Sequence, residues 1–368
     1  MKVKIMKESK LKVPAKFDCN DFATKLYELN QKYYHNGIIV DETYGCIPSS
    51  YIGNARAAKD LYPASLEQLS VYINQTSKQG IGFNYVMNAV WSQGEEFSKQ
   101  GQENILGEVK QLIDCGVNSV TISSPGIIRI VHKHFPSLNI TISINTCVSS
   151  LHEIFRWEKA GISKIVLNRH INRDIVLLKS MVNSASTKLE ILLNSMCNLH
   201  CSLHQYHNLI NGVNSNVSAE EIETKYPQSQ CSLNCLKNPC EMICSAWIRP
   251  EDLDIYENIG LNNFKLDGRC LNADDIVFIL EKYMQRHHEG NFFDLFDFMN
   301  TRQESGVKYY LDNRILDGFA KSLIDKNTDC RICGGRNELC NKLAEKIEIL
   351  NQREAKIFSK MLSAAINQ

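Results

Sequence analysis

The chain has 368 residues, of which 43% are hydrophobic and 22% are charged, and its formal net charge at pH 7 is zero. This composition is typical of a folded globular protein with one large domain or two ordinary ones, and it excludes a disordered chain. The neutral charge argues against an overall basic surface, although a local patch for nucleic acid stays open. No apolar run approaches the ~18 residues of a membrane helix, and the basic N-terminus lacks the apolar segment of a signal peptide. We therefore expect a cytoplasmic protein with no membrane partner.

Short apolar runs rich in Ile, Val and Phe alternate with helical segments along most of the chain. They are largely apolar on both faces, which is typical of parallel strands covered by helices. The predicted strands are Val13–Cys19, Gly37–Glu42, Gly82–Met87, Ser119–Ser123, Asn139–Asn145, Lys164–Asn168, Lys188–Asn194 and Asn262–Asp267. Repeated βα units predict an α/β fold, a TIM-like (β/α)8 barrel over residues 1–290. A doubly wound open sheet is the alternative, which the absence of GxGxxG after the first strand disfavours.

A cysteine-rich insertion, residues 195–247, follows the seventh predicted strand. Its six cysteines are Cys197, Cys201, Cys231, Cys235, Cys240 and Cys244. In a reducing compartment, crowded thiols favour a metal or an iron–sulfur cluster over disulfides. The CxxxC spacings favour a cluster, while zinc and unliganded thiols remain alternatives. In a barrel this insertion rises from the strand carboxyl ends, where barrel enzymes hold their chemistry.

Residues 291–368 are predicted to form a C-terminal helical extension. Its aromatic segment, Asn291–Met299, is expected to pack against the barrel, and a last helix begins near Leu339. The extension also contains a CxxC knuckle followed by two glycines, with Cys330 and Cys333 as its thiols and Cys340 seven residues on. Such a knuckle commonly binds metal. A clasp or a second metal site is favoured over completion of the first cluster, and ordinary thiols remain an alternative.

Charged residues end the eighth predicted strand. By the two-residue period of a strand, Lys265, Asp267 and Arg269 share one face. Two cations there suit a carboxylate or phosphate, which Arg binds bidentately. Arg169, after the sixth strand, is expected to add to this anion site. A buried ion pair in the barrel floor is the alternative.

Other strand ends offer weaker candidates for binding or proton transfer. Glu42 and Tyr44 end the second strand and are candidate proton donors, while Asn145 ends the fifth and is a candidate polar contact. In the insertion, His204 is a candidate ligand or acid–base group, with a solvent-facing position as the default alternative.

From the seventh strand onward the sequence resembles the collagenase-like peptidase family U32. The resemblance rests on an apolar strand that runs into the insertion (ILLNSMCNLHC and CSLNC), on Trp247–Leu253 (WIRPEDL) and on Gly260–Arg269 (GLNNFKLDGR). Lys265, Gly268 and Arg269 match the family's phrase, and Asp267 stands where the family has Glu. These motifs cover roughly a fifth of the chain, and the departures indicate a divergent subfamily.

The resemblance implies an oxygen-independent hydroxylation factor, because several family members carry a 4Fe-4S cluster on four cysteines. Such members act on RNA bases or the ubiquinone ring and use prephenate as oxygen donor. By position, Cys197, Cys201, Cys231 and Cys235 match the cluster ligands, and the less certain candidates are Cys240, Cys244, Cys330 and Cys333. The departures leave the exact ligand set open.

The function expected from these features is an iron–sulfur enzyme that modifies a small or nucleotide-like substrate and binds an anionic donor or substrate. Lys265, Asp267, Arg269 and His204 are its expected catalytic residues, and Arg169, Glu42, Tyr44 and Asn145 its expected substrate contacts. A peptidase is one alternative, although neither HExxH nor GxSxG occurs. A non-catalytic cluster-binding subunit paired with a related barrel is the other.

Overall fold

Eight parallel strands close into a barrel, with each strand pairing with the next and the last pairing with the first. They are β1 (Ser9–Pro14), β2 (Ile38–Gly45), β3 (Gly82–Met87), β4 (Ser119–Ile122), β5 (Asn139–Ile142), β6 (Lys164–Val166), β7 (Lys188–Leu192) and β8 (Asn263–Lys265). The computed structural model describes residues 8–48, 50–224, 226–296, 307–326, 328–334 and 337–366. The predicted TIM-like barrel is confirmed, and the doubly wound sheet is wrong because the sheet closes on itself.

Helices follow the strands and cover the outside of the barrel. They are α1 (Phe22–Tyr33), α2 (Leu66–Lys78), α3 (Lys99–Asp114), α4 (Pro125–His134), α5 (Leu151–Glu158), α6 (Ile175–Ser184), α10 (Leu253–Asn258) and α11 (Ala273–Gln285). Capping residues mark where several of these helices begin. Ser65 caps α2 in a capping box with Gln68, and Ser124 caps α4, whose first residue is Pro125. The helices pack the outward faces of the strands into one apolar core.

The interior of the barrel is polar, which corrects the expectation of strands that are apolar on both faces. The Lys164 ammonium on β6 lies 2.8 Å from Glu42 Oε1 on β2 and 3.0 Å from Glu190 Oε2 on β7. Because β2 and β6 are not neighbours, this contact crosses the barrel. Asn84 on β3 likewise donates to Thr141 Oγ1 on β5. The strands therefore alternate, with apolar side chains toward the helices and polar ones toward the axis.

The insertion and the extension contribute the remaining elements. The insertion contains α7 (His204–Val213), α8 (Tyr226–Lys237) and α9 (Cys240–Ile243), and the extension contains β9 (Tyr309–Tyr310), α12 (Phe319–Asp325), α13 (Cys330–Cys333), α14 (Glu338–Ala344), β10 (Glu348–Ile349) and α15 (Gln352–Ile366). The predicted single last helix is wrong, because β10 pairs with β9 and divides it into α14 and α15. No helix in the described ranges is long and apolar enough to cross a membrane.

A second apolar core joins the insertion to the extension. Phe292, Phe293 and Phe296 of the aromatic segment are buried in it together with Trp247 from the end of the insertion. The rings of Trp247 and Phe292 are 4.8 Å apart, edge to face. The segment is thus buried, but among insertion and extension residues instead of against the barrel; residues 297–299 of it lie outside the described residues.

Candidate active site at the barrel mouth

The carboxyl ends of the strands meet at one end of the barrel, here called the mouth. Asp267, in the loop after β8, lies at its centre, with Arg56 Nη2 3.1 Å from its Oδ1. Burial raises the pKa of Asp267, but the nearby guanidinium groups of Arg56, Arg169 and Arg269 outweigh burial and hold that pKa below its usual range. Three arginines thus surround one carboxylate, and the mouth has an excess of positive charge.

Two of these arginines hold few charged partners of their own. Arg169 donates from Nη1 to Ser195 Oγ at 3.1 Å, while its Nε is buried without a hydrogen-bond partner. Arg269 donates from Nη1 to Cys46 Sγ at 3.3 Å and to Asn54 Oδ1 at 3.2 Å. An anionic ligand at the mouth would supply the acceptors that these donors lack. Arg169 and Arg269, which the sequence predicted to lie together, are both placed near Asp267.

Lys265 lies deeper, where β8 ends. Its ammonium is 3.6 Å from the centre of the Tyr44 ring, and the Tyr44 hydroxyl donates to Leu266 O at 2.5 Å. Burial lowers the pKa of Lys265 to about 8, against the opposing effect of Glu190. The prediction that Lys265, Asp267 and Arg269 share one strand face is wrong. The strand β8 ends at Lys265, so Asp267 and Arg269 reach the mouth from the loop that follows it.

Anion binding at the mouth should therefore depend on pH. Because Lys265 is positive below its pKa of about 8, we expect the affinity for sulfate, whose own charge is constant over this range, to fall as pH rises from 7 to 9. Calorimetric titration at several pH values measures this, and Lys265→Arg should remove the step because arginine stays charged. A wild-type affinity that does not change across this range would show that Lys265 does not contribute charge to the site.

Three histidines line another side of the mouth. The ring of His170 lies 5.2 Å from each of the rings of His200 and His204. Burial lowers the pKa of His170 to about 3 and that of His204 to about 4, so both rings are neutral at pH 7. His204 Nδ1 is 3.9 Å from the Sγ atom of Cys147, which lies in the connection between β5 and α5. His204 is thus placed to accept a proton.

The cysteines predicted as cluster ligands come from two places beside the mouth. The partly buried thiol of Cys197 interacts with Cys201, and burial raises its pKa while Arg169 lowers it. Cys231 and Cys235 lie one turn apart on α8, and Cys235 Sγ contacts Asn198 Oδ1 at 3.7 Å. The second pair therefore reaches the chain segment that carries the first.

These residues have the donor chemistry that an iron–sulfur cluster requires, since all four are cysteines. Their side chains are not already closed around a centre. Within the described ranges, no three or more His, Cys, Asp or Glu side chains are placed to hold a metal ion. The donor set fits a cluster, and its assembly would have to draw the two pairs together.

The less certain ligand candidates form a separate group. Cys240 and Cys244 have their sulfurs 3.6 Å apart. Hydrogen bonds from Cys240 and from Cys340 lower the pKa of Cys244 to about 3. Cys333 and Cys330 also interact with this pair. The knuckle of the extension thus meets the last two cysteines of the insertion.

Two predicted substrate contacts lie in the protein interior. Glu42 is paired with Lys164 inside the barrel, and the buried Asn145 donates from Nδ2 to Asn88 O at 3.2 Å. Several residues at the mouth were not predicted from the sequence. Arg56 and Cys46 belong to the long connection after β2, and His170 belongs to the segment after β6. The sequence signal for Arg56 and Cys46 was the length of the connection after β2, because long ordered loops are often functional.

Together, the fold and the mouth define a TIM-like barrel protein with a cationic mouth and a cysteine-rich insertion beside it. Residues 40–291 match the profile of peptidase family U32. This protein belongs to peptidase family U32, and the predicted resemblance is confirmed. The solved structure of the U32 peptidase Mk0906 superposes with a TM-score of 0.52 at 13% identity, covering 71% of this chain and 94% of that one.

Two curated relatives bear different names. "Uncharacterized protease MJ1657" of Methanocaldococcus jannaschii is 29% identical over 88% of this chain and 92% of its own length. "tRNA hydroxylation protein P" of Escherichia coli is 23% identical over 106 residues, which are 29% of this chain and 22% of that protein. The first likeness spans nearly the whole chain, and the second spans a limited segment.

Proposed function

We propose that this protein is an iron–sulfur-dependent enzyme that hydroxylates, without dioxygen, or otherwise modifies by redox chemistry a nucleotide-like or small-molecule substrate. The observation that carries the proposal is the juxtaposition at the mouth. Arg169, which interacts with Cys197, is also one of the three arginines around Asp267. An anion held by those arginines would therefore lie next to the thiols. The name of the relative "tRNA hydroxylation protein P" supports the same class of reaction.

The cluster would be held by Cys197, Cys201, Cys231 and Cys235, and when bound it would supply electron transfer or polarise an oxygen donor. The protein's own groups bind and orient the reactants. Arg169 and Arg269 would grip a carboxylate or phosphate, and Asp267 would keep the guanidinium planes in place through Arg56.

Proton transfer would fall to His204. Its ring is neutral at pH 7, because burial lowers its pKa to about 4, and Asn208 Nδ2 lies 3.3 Å from its Nε2. A neutral imidazole can accept a proton at its unprotonated nitrogen and return it in a later step. His204→Gln should therefore slow turnover while leaving the affinity for an anion unchanged.

One observation favours a peptidase as a second candidate. Cys147 Sγ lies 3.9 Å from His204 Nδ1 and accepts a hydrogen bond from Gln205 Nε2 at 3.2 Å. Its backbone is left-handed, with φ of 58°, a conformation that is strained for cysteine and recurs at active sites. Against this candidate, burial raises the pKa of the Cys147 thiol, whereas a nucleophilic cysteine needs a lowered pKa.

An assay on anaerobically purified protein separates the two candidates. The protein is incubated with total tRNA and a carboxylate oxygen donor, and mass spectrometry scores nucleosides that gain one oxygen atom. Arg269→Ala and Cys201→Ser should each abolish the gain, and Arg129→Ala, on the outer helix α4, is the matched control. Hydrolysis of a peptide library by metal-free protein, lost in Cys147→Ser and without any oxygen transfer, would contradict the proposal and support the peptidase.

A further inference from the structure

A second group of cysteines lies away from the mouth, where the insertion meets the extension. This thiol group consists of Cys240, Cys244, Cys330, Cys333 and Cys340. Three separate chain segments contribute to it, and α14, which carries Cys340, packs on α9. The sulfurs of Cys240 and Cys244 are 3.6 Å apart, and the thiol of Cys340 hydrogen-bonds to Cys244. Cys340 and Cys240 are almost completely buried.

An arginine lies against this thiol group. Arg173 interacts with Cys330, Cys340 and Cys244. Its guanidinium stacks 4.8 Å above the Trp247 ring, Nη2 donates to Ile243 O at 2.8 Å, and Nη1 is buried without a hydrogen-bond partner.

Within the described ranges, Arg173 also interacts with the Tyr256 hydroxyl. A partly buried cation requires a counter-charge. The cysteines beside Arg173 are groups that can become anionic, and a thiol ionises more readily than a tyrosine hydroxyl. Arg173 is therefore placed to stabilise thiolates in the thiol group.

We propose that the thiol group binds one Zn²⁺ through four of its five cysteines, as a structural site separate from the mouth. Two thiolates on one tetrahedral zinc, each at about 2.3 Å, stand about 3.8 Å apart. The 3.6 Å between Cys240 and Cys244 is close to that value. In a [4Fe–4S] cluster each cysteine binds a different iron, so ligand sulfurs stand farther apart.

The remaining ligands complete this pair. Cys340 already hydrogen-bonds to Cys244, and the CxxC knuckle of Cys330 and Cys333 has the spacing of zinc knuckles. The described side chains do not yet enclose a metal ion, so binding includes rotation of these thiols toward the pair. Arg173 would offset part of the charge of a zinc with four thiolates.

The consequence of such a site is mechanical. It would tie α9 of the insertion to α13 and α14 of the extension, which otherwise share the second apolar core. None of its ligands belongs to the mouth group of Arg56, Arg169, Arg269 and Asp267. Zinc binding is therefore independent of the proposed reaction and does not require it.

Metal analysis of the full-length protein tests the site. We expect about one zinc per chain, lost in the double variant Cys244→Ser/Cys340→Ser, which keeps too few thiols for a four-thiolate site, but retained in Cys201→Ser at the mouth. Cys115→Ser, a partly buried cysteine at the end of α3, is the matched control for a cysteine replacement. After chelation, Co²⁺ added to the wild type should give the charge-transfer absorption of a tetrahedral thiolate site, absent in the double variant.

Arg173→Met keeps every proposed ligand, so it tests the site if the cysteine variants fail to fold. It should weaken zinc affinity about tenfold or more, because groups around metal ligands typically contribute that much. Zinc retained in the double variant Cys244→Ser/Cys340→Ser would overturn the proposal. So would iron in place of zinc at these ligands, a Cys244–Cys340 disulfide in protein purified without oxidant, or Co²⁺ absorption that is unchanged in the double variant.

Discussion

Replacing Lys164 with methionine is expected to lower the free energy of unfolding by about 3–5 kcal/mol, because it leaves buried carboxylates without their partner. Lys164 bridges Glu42 and Glu190 across the barrel, and Glu190 is completely buried. Burial raises the pKa of Glu190, but the charges of Lys164, Lys265 and Lys12 hold it below its usual range. Urea denaturation measures the loss.

The control for this variant is Lys188→Met, at the exposed start of β7, where a change of less than about 0.5 kcal/mol is expected. A second variant distinguishes the loss of the ion pair from the loss of side-chain packing. The double variant Lys164→Met/Glu190→Leu should recover much of the stability, since an apolar pair of similar size often substitutes for a buried ion pair. A loss under about 1 kcal/mol in Lys164→Met alone would contradict the interior charge network.

Replacing Arg169 with alanine is expected to weaken anion binding at the mouth by about ten- to a hundredfold, the effect of losing a hydrogen bond to a charged group. Its unpartnered Nε and its position beside Asp267 make it the arginine best placed to bind a new acceptor. Calorimetry with sulfate, in protein freed of metal, measures this effect without any contribution from a cluster.

Arg169→Lys should bind with intermediate affinity, because lysine keeps the charge and loses the planar fork. Arg129→Ala removes an exposed arginine from α4 and should leave the affinity unchanged. Equal losses in Arg169→Ala and Arg129→Ala would show that sulfate senses only the overall charge, and the mouth would then not be an anion site.

Most of the barrel was predictable from sequence, because outward apolar residues recur along the strands and glycines follow several helices, Gly116, Gly161 and Gly260 among them. The third strand, Gly82–Met87, has the predicted bounds. The first strand begins at Ser9, four residues before its predicted start at Val13. Lys10 and Lys12 hid the start of this strand from the prediction, because a lysine is expected at the protein surface. Lys12 is buried all the same, because Asp41 lies 3.0 Å from its ammonium.

The candidate site was predictable where its residues share a short sequence motif. Asp267 and Arg269 follow one strand, so their proximity could be inferred, whereas Arg56 reaches Asp267 from the connection after β2. The approach of Cys340 to Cys244 joins residues of two distant segments. Sequence spacing carries no information on such contacts, which arise from the packing of the second apolar core.

The central claim is that the insertion holds an iron–sulfur cluster at the mouth of the barrel. The most direct measurement is the iron and acid-labile sulfide content of protein purified without oxygen, with its absorption spectrum. We predict about four iron and four sulfide per chain, lost in Cys197→Ser and in Cys201→Ser and retained in Cys340→Ser. Zinc as the sole bound metal, or iron that is retained in both Cys197→Ser and Cys201→Ser, would contradict the claim.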